Sequence, residues 1–174
     1  AQQATLAIDA RSANLEAVCY NLIATQSPVA SDFRLLQTII YIDFNLQRMG
    51  DKVRRIARAA KRKVNNDIEF PPQMVALIEE EAASVYRVLG ATASALVNND
   101  LATVLTLSEE DEAVHGAYQE FFRVFNRTET MEVADDAQMD DFRRTVMVSR
   151  YLDRVASISM ECAYRLVFLL TGQR

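Results

Sequence analysis

Residues 35–60 read LLQTIIYIDFNLQRMGDKVRRIARAA, and their spacing decides the fold. Leu35, Ile39, Ile42, Leu46, Met49, Val53, Ile56 and Ala60 are separated by alternating steps of four and three. Those steps gather one apolar stripe on a long helix. The rhythm returns about a hundred residues later in Thr145, Val148, Leu152, Val155, Ser159, Cys162, Leu166 and Leu169. The match is also local: Leu46-Gln47-Arg48-Met49-Gly50 reappears as Leu152-Asp153-Arg154-Val155-Ala156, and Ile40-Tyr41-Ile42 as Val146-Met147-Val148. The chain therefore reads as an internal duplication. On this reading Leu46 and Leu152 are core residues, and a charge at either should unfold its bundle.

Composition supports an all-helical chain. Of 174 residues half are apolar and a quarter charged, with only four Gly and three Pro. Few breakers and no Val/Ile/Thr-rich alternation leave little room for strands. No apolar run is long enough for a bilayer, and no signal peptide is visible. The net charge of −5 disfavours nucleic acid as the main partner. Cys19 and Cys162 fall in helical patterns, which fits two buried thiols better than a disulfide. Lys52 to Arg55 and Arg58 to Lys63 make a local basic end. It reads first as a solvated helix C-terminus and second as a contact for an acidic partner or lipid headgroups.

Breaks and caps predict five helices: near Gln3 to Thr25, Ser31 to Val64, Pro72 to Leu96, Leu101 to Phe125 and Ala137 to Leu170. Pro28, Asn65-Asn66-Asp67 with Pro71-Pro72, Asn98-Asn99-Asp100 and Gly172 punctuate them. Ser31-Asp32 and Asp100 are the expected N-caps. Expected stripes are Ile8, Leu15, Val18 and Leu22 on the first helix, and Ile78, Ala82, Val85, Leu89, Ala93 and Leu96 on the third. The fourth carries Leu107, Val114, Ala117, Phe121 and Val124. The boundary between halves falls after residue 67, so residues 1–67 form a first repeat of two helices and 72–174 a second of three. The first repeat thus lacks an N-terminal helix in this chain, and the apolar groove between its helices needs a cover.

Little in the chain looks enzymatic. The single histidine, His115, would have to serve any nucleophile, and neither cysteine sits in an electropositive loop. There is no glycine-rich phosphate loop. Glu112-Ala113-Val114-His115 has the Glu-x-x-His spacing of di-iron bundles, but such bundles need two copies. The helices do place polar residues at i and i+4: Asp9 with Ala13, Gln47 with Asp51, Asp111 with His115, and Asp153 with Ser157. Oxygen ligands so spaced on adjacent helices can hold a cation. They can equally be solvated carboxylates near Arg48, Arg150 and Arg154. Phe33, Leu36, Ile40 and Phe44 form a second apolar patch, on the side of the helix that carries Gln47 and Asp51, away from the Leu46/Met49 stripe. Two greasy sides suggest a helix held between its own bundle and another protein.

With the doubled Leu-[Gln/Asp]-Arg-x-[Gly/Ala] segment in view, nearly the whole chain resembles the PhoU family of phosphate-transport accessory and regulatory proteins. The connection Ala24 to Arg34 is also family-like. The resemblance implies two tandem three-helix-bundle repeats. It implies a cytoplasmic, often dimeric regulator that restrains the phosphate-starvation response, peripheral to the inner face of the membrane through its partners. Those partners would be the phosphate ABC transporter ATPase and a sensor histidine kinase. Some members hold iron or zinc clusters on Glu/Asp-x-x-x-Asp pairs. Here each pair keeps one acid and loses the other, so no cofactor is required and a tight cluster is not expected. A weak Fe or Zn site would use Asp9, Asp51, Asp111, His115 or Asp153, with the second repeat favoured by its imidazole. The leading reading is a non-enzymatic docking protein with Phe33, Leu36, Ile40 and Phe44 among its anchors. The rivals are a metal-binding bundle and an oligomeric scaffold.

Overall fold

The computed structural model describes residues 2–66, 72–127 and 136–173. Among these residues there are five helices and no strand: α1 (Gln2–Gln26), α2 (Ala30–Asn66), α3 (Pro72–Asn98), α4 (Leu101–Arg127) and α5 (Asp136–Thr171). The punctuation residues act as expected. Asp100 caps α4: Oδ1 accepts from the backbone N–H groups of Ala102 and Thr103, and Oδ2 from the Thr103 hydroxyl. These bonds hold its carboxyl below the ordinary range. Gly172 ends α5 with φ 76°, its N–H donating to the Phe168 carbonyl at 2.9 Å. The start of α2 differs from expectation. The helix opens at Ala30, ahead of Ser31-Asp32, after a turn in which the Asp32 N–H donates to the Val29 carbonyl.

The α3, α4 and α5 helices pack on one another as a three-helix bundle, while α1 and α2 form a hairpin that joins it through α2 and α5. Those two long helices run antiparallel. Tyr41 and Arg48 meet Glu161, Arg165 stacks on Tyr41, and further along Arg55 lies over Tyr151. The buried core spans this seam, running from Met49 through Val155 and Ile158 to Val85, Val88, Val104, Leu107 and Val114. Cys162 and Asn45 are buried in the same seam.

The expected stripes on α1 and α2 are corrected, while that on α3 holds except at Ala93, with Val85 in the core and Ile78, Ala82, Leu89 and Leu96 packed against it. On α3 the buried face is Met74, Glu81, Ser84, Val85, Val88, Thr92 and Ala95; Ala93 is exposed and Ile78, Ala82, Leu89 and Leu96 are half-buried. On α1, Ser12 and Cys19 are buried whereas Leu15, Val18 and Leu22 are exposed. The helix is apolar on several sides, and α2 is its main neighbour, so only one side is covered. On α2, Met49 is buried but Leu35, Leu46 and Val53 are each 45% exposed. Leu152, the sequence counterpart of Leu46, is 8% exposed because α5 has α3 and α4 beside it as well as α2. Leu46 is therefore not a core residue among the described helices.

Candidate functional site

The polar residues fall into two clusters. In the three-helix bundle, α4 and α5 bring Asp111, His115 and Asp153 together. His115 Nδ1 lies 3.3 Å from Asp153 Oδ1, and the Gln119 amide nitrogen lies 2.9 Å from His115 Nε2. An amide nitrogen only donates, so Nε2 accepts and Nδ1 carries the proton toward Asp153. Asp111 has its carboxyl pushed up, first by desolvation and then by the Asp153 charge, with His115 opposing.

Beneath this cluster sits Glu81 of α3, fully buried. One carboxylate oxygen accepts from the Ser149 hydroxyl at 2.6 Å, and the other has no partner. Burial pushes its carboxyl up to about 8, with the Asp153 charge adding to the rise, so Glu81 is protonated at neutral pH. Sequence reading passed over it because Glu79-Glu80-Glu81 looks like a solvated run. The signal was spacing: Glu81 stands seven after Met74, four before Val85 and seven before Val88, on the inward stripe.

In the hairpin the arrangement is different. The buried Ser12 of α1 donates to the Asp43 carboxylate and accepts from the Gln47 amide. Gln47 therefore faces α1 rather than an outer wall. Asp51 pairs instead with Arg54 at 2.5 Å, and Asp9 lies exposed on α1. The predicted apolar patch is unevenly covered: Leu36 and Ile40 are half-buried, while Phe33 and Phe44 are 44% and 56% exposed. Arg48 sits over the Phe44 ring at 5.7 Å.

As placed, these side chains serve one another. The Nε2 lone pair that a metal would need is taken by Gln119. Among the described residues no group of three or more His, Cys, Asp or Glu side chains is arranged to hold a metal ion. The cysteines are poor nucleophiles where they lie, since burial pushes the Cys162 thiol to about 11 and raises that of Cys19. No helix among the described residues is long and apolar enough to cross a membrane.

Packed antiparallel helices with exposed apolar side chains and inward-turned polar groups define an all-helical bundle protein, and comparison with known proteins makes the class specific. No family model matches the chain. It is 24% identical over 168 residues to the phosphate-specific transport system accessory protein PhoU homolog 1 of Methanothermobacter thermautotrophicus, covering 97% of this chain and 74% of that protein. It is 26% identical over 168 residues to the PhoU homolog of Clostridium acetobutylicum, covering 96% and 74%. In fold it is similar to the crystal structure of PhoU from Pseudomonas aeruginosa, with a TM-score of 0.87 and 20% identity, covering 99% of this chain and 80% of that one. The chain is thus similar to PhoU proteins along nearly its whole length, as its doubled segment led one to expect.

Proposed function

We propose that this chain is a non-enzymatic, cytoplasmic regulator of phosphate uptake and of phosphate-starvation signalling. It works by docking to the ATPase of the phosphate ABC transporter and to a sensor histidine kinase, and it restrains both as a homodimer. The observation that carries the reading is homology along nearly the whole chain to accessory proteins of phosphate transport. The exposed Phe33 and Phe44, set among half-buried Leu36 and Ile40, support docking, because buried aromatic anchors dominate most interfaces. Deleting the gene tests the function: phosphate uptake should become derepressed in phosphate-rich medium, and unchanged uptake would end the proposal. Phe44→Asp tests the surface. It should weaken association with the transporter ATPase while leaving the melting temperature nearly unchanged, since the ring is already in water.

A second reading concerns metal. We propose that any iron or zinc is held weakly at Asp111, His115 and Asp153, and not at Asp9, which is exposed on α1, or Asp51, which pairs with Arg54. Its support is the His115–Asp153 contact between α4 and α5. A cation there must first displace the Gln119 amide, which lowers its affinity. Metal analysis of protein purified without chelator or nickel resin checks this; tightly held stoichiometric metal would overturn the weak-site reading.

A further inference from the structure

Two cavities meet where the C-terminal half of α2 lies across the first half of α5. One is a mostly apolar pocket of about 240 Å³ between Ile56, Ala60, Met74, Val75, Ile78 and Val148, with Glu79 and Arg144 on its wall. The other is an open groove of about 630 Å³, walled by Arg55, Arg58 and Lys61 of α2 and by Arg144, Met147 and Tyr151 of α5. Ala59 and Arg144 line both, so the two form one recess, a greasy hole beside a cationic trough.

The charge here is segregated. Between Arg48 and Lys63 the only acid is Asp51, in a chain whose net charge is −5. Asp51 is spent on Arg54, Glu161 on Arg48, and Asp140 on Arg144. Arg55 lies over the Tyr151 ring at 5.9 Å. Arg58 and Lys61 have no acidic partner among the described residues. The helix dipole does not account for them. Its pull on cations fades beyond the last turn, and α2 continues to Asn66, so Arg55 and Arg58 lie too far back. Arg144 stands more than two turns into α5, where the dipole's influence has likewise faded.

We infer that this recess is a docking site for an acidic segment of a partner protein, which seats one apolar side chain in the pocket and lays carboxylates along Arg55, Arg58 and Lys61. Charge complementarity at the groove selects the partner's sign, and the apolar pocket selects an anchor beside the acids. A lipid surface fits less well. The recess is concave, whereas a bilayer presents a flat face that would leave the pocket empty. The inference rests on this geometry and not on the identity of the transporter or kinase, so it can fail while the regulatory reading stands.

The test uses the full chain and a fluorescein-labelled helical peptide about three turns long, with Leu at i, i+3, i+4 and i+7 and Glu elsewhere. Its controls are the same peptide with Lys for every Glu and with Ala for every Leu. Anisotropy should show binding of the first peptide only. Arg58→Glu with Lys61→Glu should weaken it at least about tenfold, and so should Ala60→Phe, which fills the pocket without changing charge. Arg123→Glu on α4 should leave it unchanged. Circular dichroism confirms that each variant is folded. Equal binding of the Glu and Lys peptides, or indifference to the Arg58/Lys61 reversal, would overturn the site. So would capture by vesicles of phosphatidylcholine and phosphatidylglycerol through the same residues, with no peptide binding, which would make the recess a membrane contact.

Discussion

Helices α2 and α5 carry nearly the same stripe, yet they bury it differently. Leu152 and Ser159 are buried in α5, while Leu46 and Val53 at the corresponding places in α2 are 45% exposed. Side-chain pattern does not explain the difference; the number of neighbours does. The α5 helix is wrapped by α2, α3 and α4, whereas α2 touches α1 and α5. An amphipathic stripe is an offer of burial, and a second surface must take it up before it contributes stability. We propose that the hairpin and the bundle are two copies of one unit, within residues 1–67 and 72–174, whose stripes now meet different surroundings.

The sharpest way to break this comparison is one substitution made twice. Leu152→Asp should cost about 4 kcal/mol or more, because it places a charge among apolar neighbours with no partner. Leu46→Asp should cost about 1 kcal/mol, since its side chain already reaches water. Denaturant melts would measure both, and equal losses would show that the stripe alone sets the burden. The difference in exposure, 45% against 8%, already overturns the simpler expectation from sequence that the two leucines are equivalent.

A smaller effect separates the two polar interiors by pH. The Glu81 carboxyl stands near 8 in the folded protein against an ordinary 4.5. Between those values the unfolded chain has lost a proton that the folded chain keeps. Stability contributed by the neutral form is therefore full below about 4.5, falls as pH rises toward 8, and levels off above it. Glu81→Gln removes the titration, so it should raise the melting midpoint at pH 9 by on the order of 5 °C and by little at pH 5. A gain of equal size at both pH values would mean that Glu81 is not the group that titrates.

The smallest expected effect lies at the helix starts. Asp100→Ala removes a cap that accepts three hydrogen bonds and should lower the midpoint slightly, whereas Asp32→Ala should change it less still. Because the cap holds the Asp100 carboxyl below its ordinary range, its contribution is present above that range and disappears as the solution is acidified through the lowered value. If Asp32→Ala proves the more damaging, the start of α2 is capped in a way its hydrogen bonds do not reveal.

The sequence by itself determined the helices, because their signals are local. Proline and glycine restrict the backbone, Asp100 satisfies nearby N–H groups, and a stripe of fours and threes needs only the helix's own geometry. It also brought His115 and Asp153 into view, since matching turns of adjacent helices sit near one another. Only the tertiary structure decided which stripes are covered, because cover comes from a neighbour far away in the chain. It turned Gln47 toward Ser12, left Leu46 in water and kept a proton on Glu81. It also carried Arg58 and Arg144, 86 residues apart in the chain, to one groove. Burial and electrostatic shift are properties of the whole surrounding volume, and a one-dimensional pattern does not contain them.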